Sequence, residues 1–330
     1  MNFGDLDWNM LIAFAAAFAV TAVVVPVLIP YLRRLKFGQQ ILEDGPKWHE
    51  KKSGTPTMGG ISFIIGVSVA MAAAVAASFD MKLLVMAAVS FGFGVIGFID
   101  DYIKVVKKRN LGLTAAQKFF MQAILAAAYV LILQKTGELS SEIIIPFTGI
   151  ELNMPWWLYI PFILIVVTAT VNAVNLTDGL DGLASSITVI VALFFAAAAR
   201  LAGEADSSYF ALAVCGGCAG FLLYNRYPAK VFMGDTGSLY LGGAVSMLAV
   251  GLKMPLVLII AGFVYLFEAL SVIIQVTSFK LTGKRVFKMS PIHHHFEMCG
   301  WNERRIVAVF SAVTILLCAA AYFSILPFAA

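Results

Sequence analysis

Long apolar runs separated by short charged connections organise this chain. Runs free of charge cover Trp8–Leu32, Met58–Phe79, Leu83–Ile99, Trp156–Asn172, Leu183–Ala199, Tyr209–Asn225, Thr236–Leu252 and Ile306–Phe328. Two further runs, Thr114–Gln134 and Met254–Phe279, are each interrupted by one charge, Lys118 and Glu268. A helix needs about 20 apolar residues to cross the hydrocarbon of a bilayer. The runs are rich in Ala, Leu and Ile and lack period-2 alternation, which argues against a β-barrel. The pattern predicts an all-α, polytopic integral membrane protein of about ten transmembrane helices, forming a single domain over residues 1–330. The stretch Ile143–Pro155 alternates weakly between Pro and Gly punctuation and predicts a small hairpin over the outer face. The long ninth run suggests a bend that opens a lateral groove for a lipid tail.

Charge then orients the bundle. With both termini outside, all 23 Lys and Arg residues except Lys82, Lys135, Arg200 and Lys253 fall in inner connections. Basic loops face the cytoplasm. The leader carries Asp5 and Asp7 where a signal peptide is basic, and its apolar run is too long for one. Composition agrees: 61% of residues are hydrophobic and 13% charged, against about 25% charged in soluble domains. Mean hydropathy is +0.90. A water-soluble enzyme and a disordered scaffold are excluded, and four cysteines exclude a disulfide-dense secreted domain.

Three motifs are set aside. Gly92-x-Gly94-x-x-Gly97 matches a dinucleotide fingerprint as a string, but it lies inside an apolar run and reads as close helix packing. Cys215 and Cys218 also lie within a run, with no second pair at zinc spacing. Asn175-Leu-Thr177 is formally a glycosylation string but falls on the inner face.

The carboxylates are more telling. Asp100 and Asp101 follow the third run, Asp178 and Asp181 the fifth, and Asp235 precedes the eighth, all on the expected inner face. Two like charges 4 Å apart repel by about 4 kcal/mol at an effective dielectric of 20, so acids that converge here require a cation. Asp178 and Asp181 are spaced i, i+3, which places them on one helical face, and the adjacent Gly179 and Gly182 permit a tight turn. Phe232-Met-Gly-Asp235 sets an aromatic and a Gly-flanked acid at a helix start, where unpaired backbone donors accept anions. Carboxylate oxygens in this number suit Mg2+. Lys52, Lys104 and Lys118 lie near run ends, and His293, His294 and His295 follow a basic stretch. Consecutive histidines on a helix cannot all face one metal, so anion contact is the favoured reading. Acids for Mg2+, with Lys and His for phosphate oxygens, describe phosphoryl transfer between a water-soluble and a lipid substrate. A transporter would place its acids at the midplane. Glu268 is the exception at mid-run; pairing with Gln275 or a facing Tyr is as plausible as a functional role, and it is left outside the site.

Five strings carry a resemblance: Gly54-Thr-Pro-Thr-Met-Gly-Gly60, Asp100-Asp-Tyr-Ile-Lys104, Asn175-Leu-Thr-Asp-Gly-Leu-Asp-Gly182, Phe232-Met-Gly-Asp-Thr-Gly-Ser238 and Pro291-Ile-His-His-His-Phe-Glu297. Together they resemble the polyprenyl-phosphate N-acetylhexosamine-1-phosphate transferase superfamily, with the first and last strings closest to its muramoyl-pentapeptide branch. The resemblance implies a dimeric, Mg2+-dependent enzyme of the bacterial inner membrane, with its active site on the cytoplasmic face and no nucleic-acid partner. It implies transfer of phospho-MurNAc-pentapeptide from UDP-MurNAc-pentapeptide to undecaprenyl phosphate, giving lipid I and UMP. Carried onto this chain, it makes Asp100, Asp101 and Asp235 catalytic and metal-binding, with Asp235 the principal Mg2+ ligand. Uridine recognition falls to Asp178, Gly179, Leu180 and Asp181, with Phe232 on the uracil and Lys52, Asn175 and Asn225 nearby. His293, His294 and His295 contact phosphates or order their loop, and Lys104 and Lys118 counter diphosphate charge. The rival within the superfamily uses UDP-N-acetylglucosamine. Direct attack, in which Asp100 removes a proton from undecaprenyl phosphate and the phosphate oxygen attacks the β-phosphate in line, is favoured over a covalent phospho-enzyme, because a phosphate oxygen is already nucleophilic.

Overall fold

The structure is a computed structural model describing residues 8–34, 52, 54–77, 80–107 and 111–328. Lys36, Lys47, Lys51, Lys108 and Arg109 of the expected inner basic set lie outside the described residues. The elements in chain order are α1 (Trp8–Arg34), α2 (Gly60–Ala77), α3 (Met81–Val106), α4 (Ala115–Thr136), β1 (Glu142–Ile145), β2 (Ile150–Asn153), α5 (Trp156–Thr177), α6 (Leu183–Leu201), α7 (Ala205–Asn225), α8 (Gly234–Gly251), α9 (Val257–Ala261), α10 (Phe263–Thr282), α11 (Ile292–Met298) and α12 (Glu303–Ile325). The described residues are all-α apart from one antiparallel hairpin, in which Glu142 faces Asn153 and Ile145 faces Ile150. That hairpin lies where the alternating stretch predicts it.

Among the described residues, eight helices are long and apolar enough to cross a membrane: α1, α3, α4, α5, α6, α7, α10 and α12. The other two expected runs are present as α2 and α8, of 18 residues each. The run Met254–Phe279 is divided at Gly262 into α9 and α10, and α10 continues unbroken through Glu268. Two proline-bearing helices, α1 with Pro26 and Pro30 and α5 with Pro161, persist, as neighbouring helices and Ser/Thr side chains allow in membranes.

The bundle is built around α8, which is buried from Thr236 to Gly251. A helix apolar on every side belongs in the middle of such a bundle. It packs chiefly on α3 and α5, while α7 packs on α1 and α6. Small residues make the approach possible. A Cβ added to Gly97 of α3 would lie 2.1 Å from the carbonyl oxygen of Asp235, so the glycine string in α3 serves helix packing and positions the site. Val23, Val27, Ile124, Ile165 and Leu316 face outward, exposed, as lipid-facing side chains do.

The hairpin and the acidic centre occupy opposite ends of the bundle. The hairpin leads into the start of α5, whose far end reaches the Asp178 turn; at about 1.5 Å per residue the 22 residues of α5 span about 33 Å. Lys253, just beyond α8, pairs with Glu142 and Glu151 of the hairpin. Asp235 begins α8 at the other end.

Candidate active site

The acids separated in sequence meet at one end of the bundle. One carboxylate oxygen each from Asp100, Asp101 and Asp235 can be chosen so that all lie within 4.8 Å of one another. Asp100 and Asp101 sit on α3, which continues past the expected end at Ile99 to Val106. This extension carries Lys104 one turn beyond Asp100, and the i, i+4 pair closes at 2.7 Å. Thr114 caps α4 in a reciprocal capping box with Gln117, setting Lys118 in the first turn of that helix.

Two lysines therefore bind the acids. Lys118 Nζ lies 2.7 Å from Asp235 Oδ2 and 3.1 Å from Asp100 Oδ1. Lys104 Nζ lies 2.7 Å from Asp100 Oδ2 and 3.0 Å from Asp235 Oδ2. Asp100, fully buried, also accepts from the backbone N–H of Leu113 at 2.7 Å. Asn175 at the end of α5 donates to Asp235 Oδ1 at 2.9 Å and to Ser238 at 2.7 Å. The cations that converging carboxylates require are thus already supplied by the chain. Breaking such a buried pair by removing one partner leaves an uncompensated charge at a cost of several kcal/mol.

Asp101 is spent differently. It accepts from Asp235 N at 3.2 Å, Thr236 N at 2.9 Å and Thr236 Oγ1 at 2.7 Å. The anion at the start of α8 is the chain's own carboxylate, which satisfies two of the free N–H groups every helix start leaves.

The connection from α5 to α6 corrects one expectation. Asp178 and Asp181 are not on a helical face: α5 ends at Thr177, and residues 178–182 form turns up to Gly182, which takes a left-handed conformation before α6. The two acids consequently diverge. Asp181 accepts from Lys52 Nζ at 2.7 Å and from Ala229 N at 2.9 Å. Burial, and then the charges of Asp235, Asp101 and Asp181, push the Asp178 carboxyl well above the usual carboxylate range. Asn225 braces this turn, accepting from Gly182 N and Ser185 Oγ and donating to Val231 O. Phe232 is partly exposed beside it, held through its backbone to Pro56 and Gly59.

The three histidines share the short helix α11 and point in different directions. His294 Nδ1 pairs with Glu297 at 2.6 Å. His295 Nδ1 accepts from Lys288 N at 3.1 Å. His293 turns inward, with Nδ1 3.0 Å from Glu268 and Nε2 against Gly179. Glu268 is therefore joined to the site from which the sequence leaves it out, and its partner is neither Gln275 nor a tyrosine. Glu303 is a second residue unmarked by sequence: it shares Lys52 at 2.7 Å and accepts from Asp181 N at 3.3 Å. The one sequence signal for Glu268 is an acid at mid-span; Glu303 reads only as a first-turn acid after an Asn cap.

A polytopic bundle with a carboxylate and lysine centre at one end suits a membrane-embedded transferase acting on anionic substrates. Residues 83–253 match glycosyl transferase family 4, and residues 52–64 match phospho-N-acetylmuramoyl-pentapeptide-transferase signature 1. Phospho-N-acetylmuramoyl-pentapeptide-transferases of Acetivibrio thermocellus and Clostridium botulinum are 53% and 51% identical over 314 and 313 residues, covering 94% and 95% of this chain and the same shares of theirs. That of Halalkalibacterium halodurans is 48% identical over 313 residues, 94% of this chain and 96% of its own. The chain belongs to the phospho-N-acetylmuramoyl-pentapeptide-transferase family.

Proposed function

We propose that this enzyme transfers phospho-MurNAc-pentapeptide from its UDP ester to undecaprenyl phosphate, releasing UMP and leaving lipid I in the inner membrane. The observation that carries the reading is the meeting of Asp100 and Asp235 with Lys104 and Lys118 at one end of an apolar bundle. The basic connections support a cytoplasmic position for that end, where a soluble nucleotide and a lipid phosphate can both reach it. Dimerisation in the bilayer accompanies this reading as an expectation of the family.

The donor set also suits a divalent cation. Three carboxylates, all hard oxygen donors, lie close together, and Mg2+ prefers such ligands. Asp101 is held by backbone and hydroxyl donors at the start of α8, whereas Asp235 and Asp100 are paired with lysine side chains that can give way to a cation, so Asp235 and Asp100 are the residues that would hold Mg2+. The chemistry a divalent cation supplies there is neutralisation of diphosphate oxygens and of charge on the departing nucleotide.

The chain's own groups complete the account. Lys104 and Lys118, flexible and positively charged, exchange a carboxylate oxygen for a phosphate oxygen as the donor enters, countering repulsion between two anionic substrates. Asp100, ion-paired with Lys104 and Lys118 and hydrogen-bonded by Leu113 N, is the carboxylate that takes the proton of undecaprenyl phosphate. An oxygen of undecaprenyl phosphate forms the new bond to the β-phosphorus; the bond from that phosphorus to the bridging oxygen breaks, and UMP leaves with the electron pair. Lys52, Asp181 and Glu303 hold the turn against which the uridine lies, with Phe232 offering its face.

Purified protein in nanodiscs tests the reading with UDP-MurNAc-pentapeptide or UDP-N-acetylglucosamine, each with and without undecaprenyl phosphate. UMP release with the muramoyl donor, dependent on the lipid acceptor, is expected. Turnover confined to the N-acetylglucosamine donor would assign the sister reaction, and UMP release without acceptor would indicate a covalent intermediate.

A further inference from the structure

The buried face of α10 is polar where the bilayer gives least reason for it. Its buried residues include Glu268, Ser271 and Gln275, spaced i, i+3, i+7 along one face. Gln275 accepts from Val286 N and Phe287 N and donates to Phe287 O, gripping the connection that leads to α11. Ser271 Oγ donates to the backbone oxygen of Glu268. Glu268 is fully buried and reaches His293, itself 1% exposed, through Oε2. An anchor for the loop is already provided by Gln275, whereas an intramembrane acid is costly and calls for a further role.

The far side of His293 indicates what that role is. Nε2 is buried and has no hydrogen-bond partner. It lies so close to the Asp178–Asp181 turn that a Cβ added to Gly179 would be 2.2 Å from it. The missing side chain of Gly179 is what lets the ring stand there. A carboxylate that takes the proton-bearing nitrogen of an imidazole fixes both the ring and its tautomer, and so dictates what the second nitrogen offers.

We propose that Glu268 is a positioning residue for the transfer step: it accepts the hydrogen bond from Nδ1–H of His293 and thereby presents Nε2 to the diphosphate sugar donor held beside the Asp178–Asp181 turn. The proposal rests on the transferase reading above. Its test uses full-length protein in nanodiscs with 15N-labelled histidine, the His293 signals being assigned by their loss in His293→Gln. Wild-type protein is expected to show His293 protonated at Nδ1; an unprotonated Nδ1 overturns the proposal whatever any variant does. Glu268→Gln conserves size but offers an amide that can donate to Nδ1. It is expected to alter the His293 tautomer and lower kcat by about 100-fold or more, with KM for UDP-MurNAc-pentapeptide within about threefold and an unchanged thermal midpoint. Glu268→Asp is expected to recover part of the loss. Wild-type kcat in Glu268→Gln, or a loss of activity with the His293 signals unmoved, would refute it. A wild-type enzyme that releases no UMP would instead remove the transferase reading itself, leaving the tautomer result standing as a structural fact.

Discussion

Lys118 Nζ stands 2.7 Å from Asp235, a residue 117 positions away, and 3.1 Å from Asp100. One ammonium group thus joins the start of α4 to α3 and α8. Removing it as Lys118→Met leaves the buried Asp100 and the half-buried Asp235 with only Lys104 between them. Turnover is expected to fall by about 100-fold or more, since a charge aimed at developing phosphate charge is worth that much. Steady-state UMP release checks this; activity within twofold of wild type would contradict it.

Asp101 serves the fold before it serves the chemistry. Asp101→Ala removes the acceptor for Asp235 N, Thr236 N and Thr236 Oγ1. Buried donors left unpaired cost about 1–3 kcal/mol, so thermal unfolding in detergent should reveal clear destabilisation. Asp235→Asn keeps an acceptor for Asn175 but takes one of two carboxylates from Lys104 and Lys118, so it too should unfold at a lower temperature than wild type.

Asp178 is expected to trade stability for binding. Its folded carboxyl titrates above the usual range, with burial as the main cause and Asp235, Asp101 and Asp181 adding to it. The folded state holds this proton more tightly than the unfolded chain. The stability it contributes is therefore complete below the ordinary carboxylate pKa and lost as pH rises through the elevated one. Asp178→Asn should remove that part of the pH slope and melt at a higher temperature relative to wild type as pH rises, while raising KM for the UDP donor. An unchanged slope from pH 4 to pH 9 would refute the assignment.

Glu303 and Asp181 share Lys52. Glu303→Gln loosens that three-way contact without emptying it. KM for the donor should rise several-fold with a smaller change in kcat, because these groups lie at the turn and not at the α3–α8 carboxylates. Equal loss in kcat with KM unchanged would place Glu303 in the transfer step.

The limits of the sequence show at particular residues. The bundle was legible because about 20-residue apolar runs have few alternatives, and the hairpin because Gly and Pro frame it. Asp100 and Asp235 were legible as candidates through their neighbours, a run end and a Gly-flanked helix start. Spacing could not supply direction. Asp178 and Asp181 at i, i+3 imply a common face only on a helix, and Gly182 in its left-handed conformation ends that inference. Nor does spacing reveal that Lys104 and Lys118 lie between the acids, or that Glu268 and Glu303 reach across the bundle to His293 and Lys52. These are contacts between elements, set by how α10 and α12 pack, and no local pattern encodes them.

Asp235 is where α8, both lysines and Asn175 converge. Turnover of UDP-MurNAc-pentapeptide with undecaprenyl phosphate, measured for wild type and Asp235→Asn across a Mg2+ titration, tests its role directly. Wild-type activity should require Mg2+, and the folded variant should lose about 1,000-fold or more at every Mg2+ concentration. A variant as active as wild type, with the same Mg2+ response, would contradict the assignment of this carboxylate centre as the site of transfer.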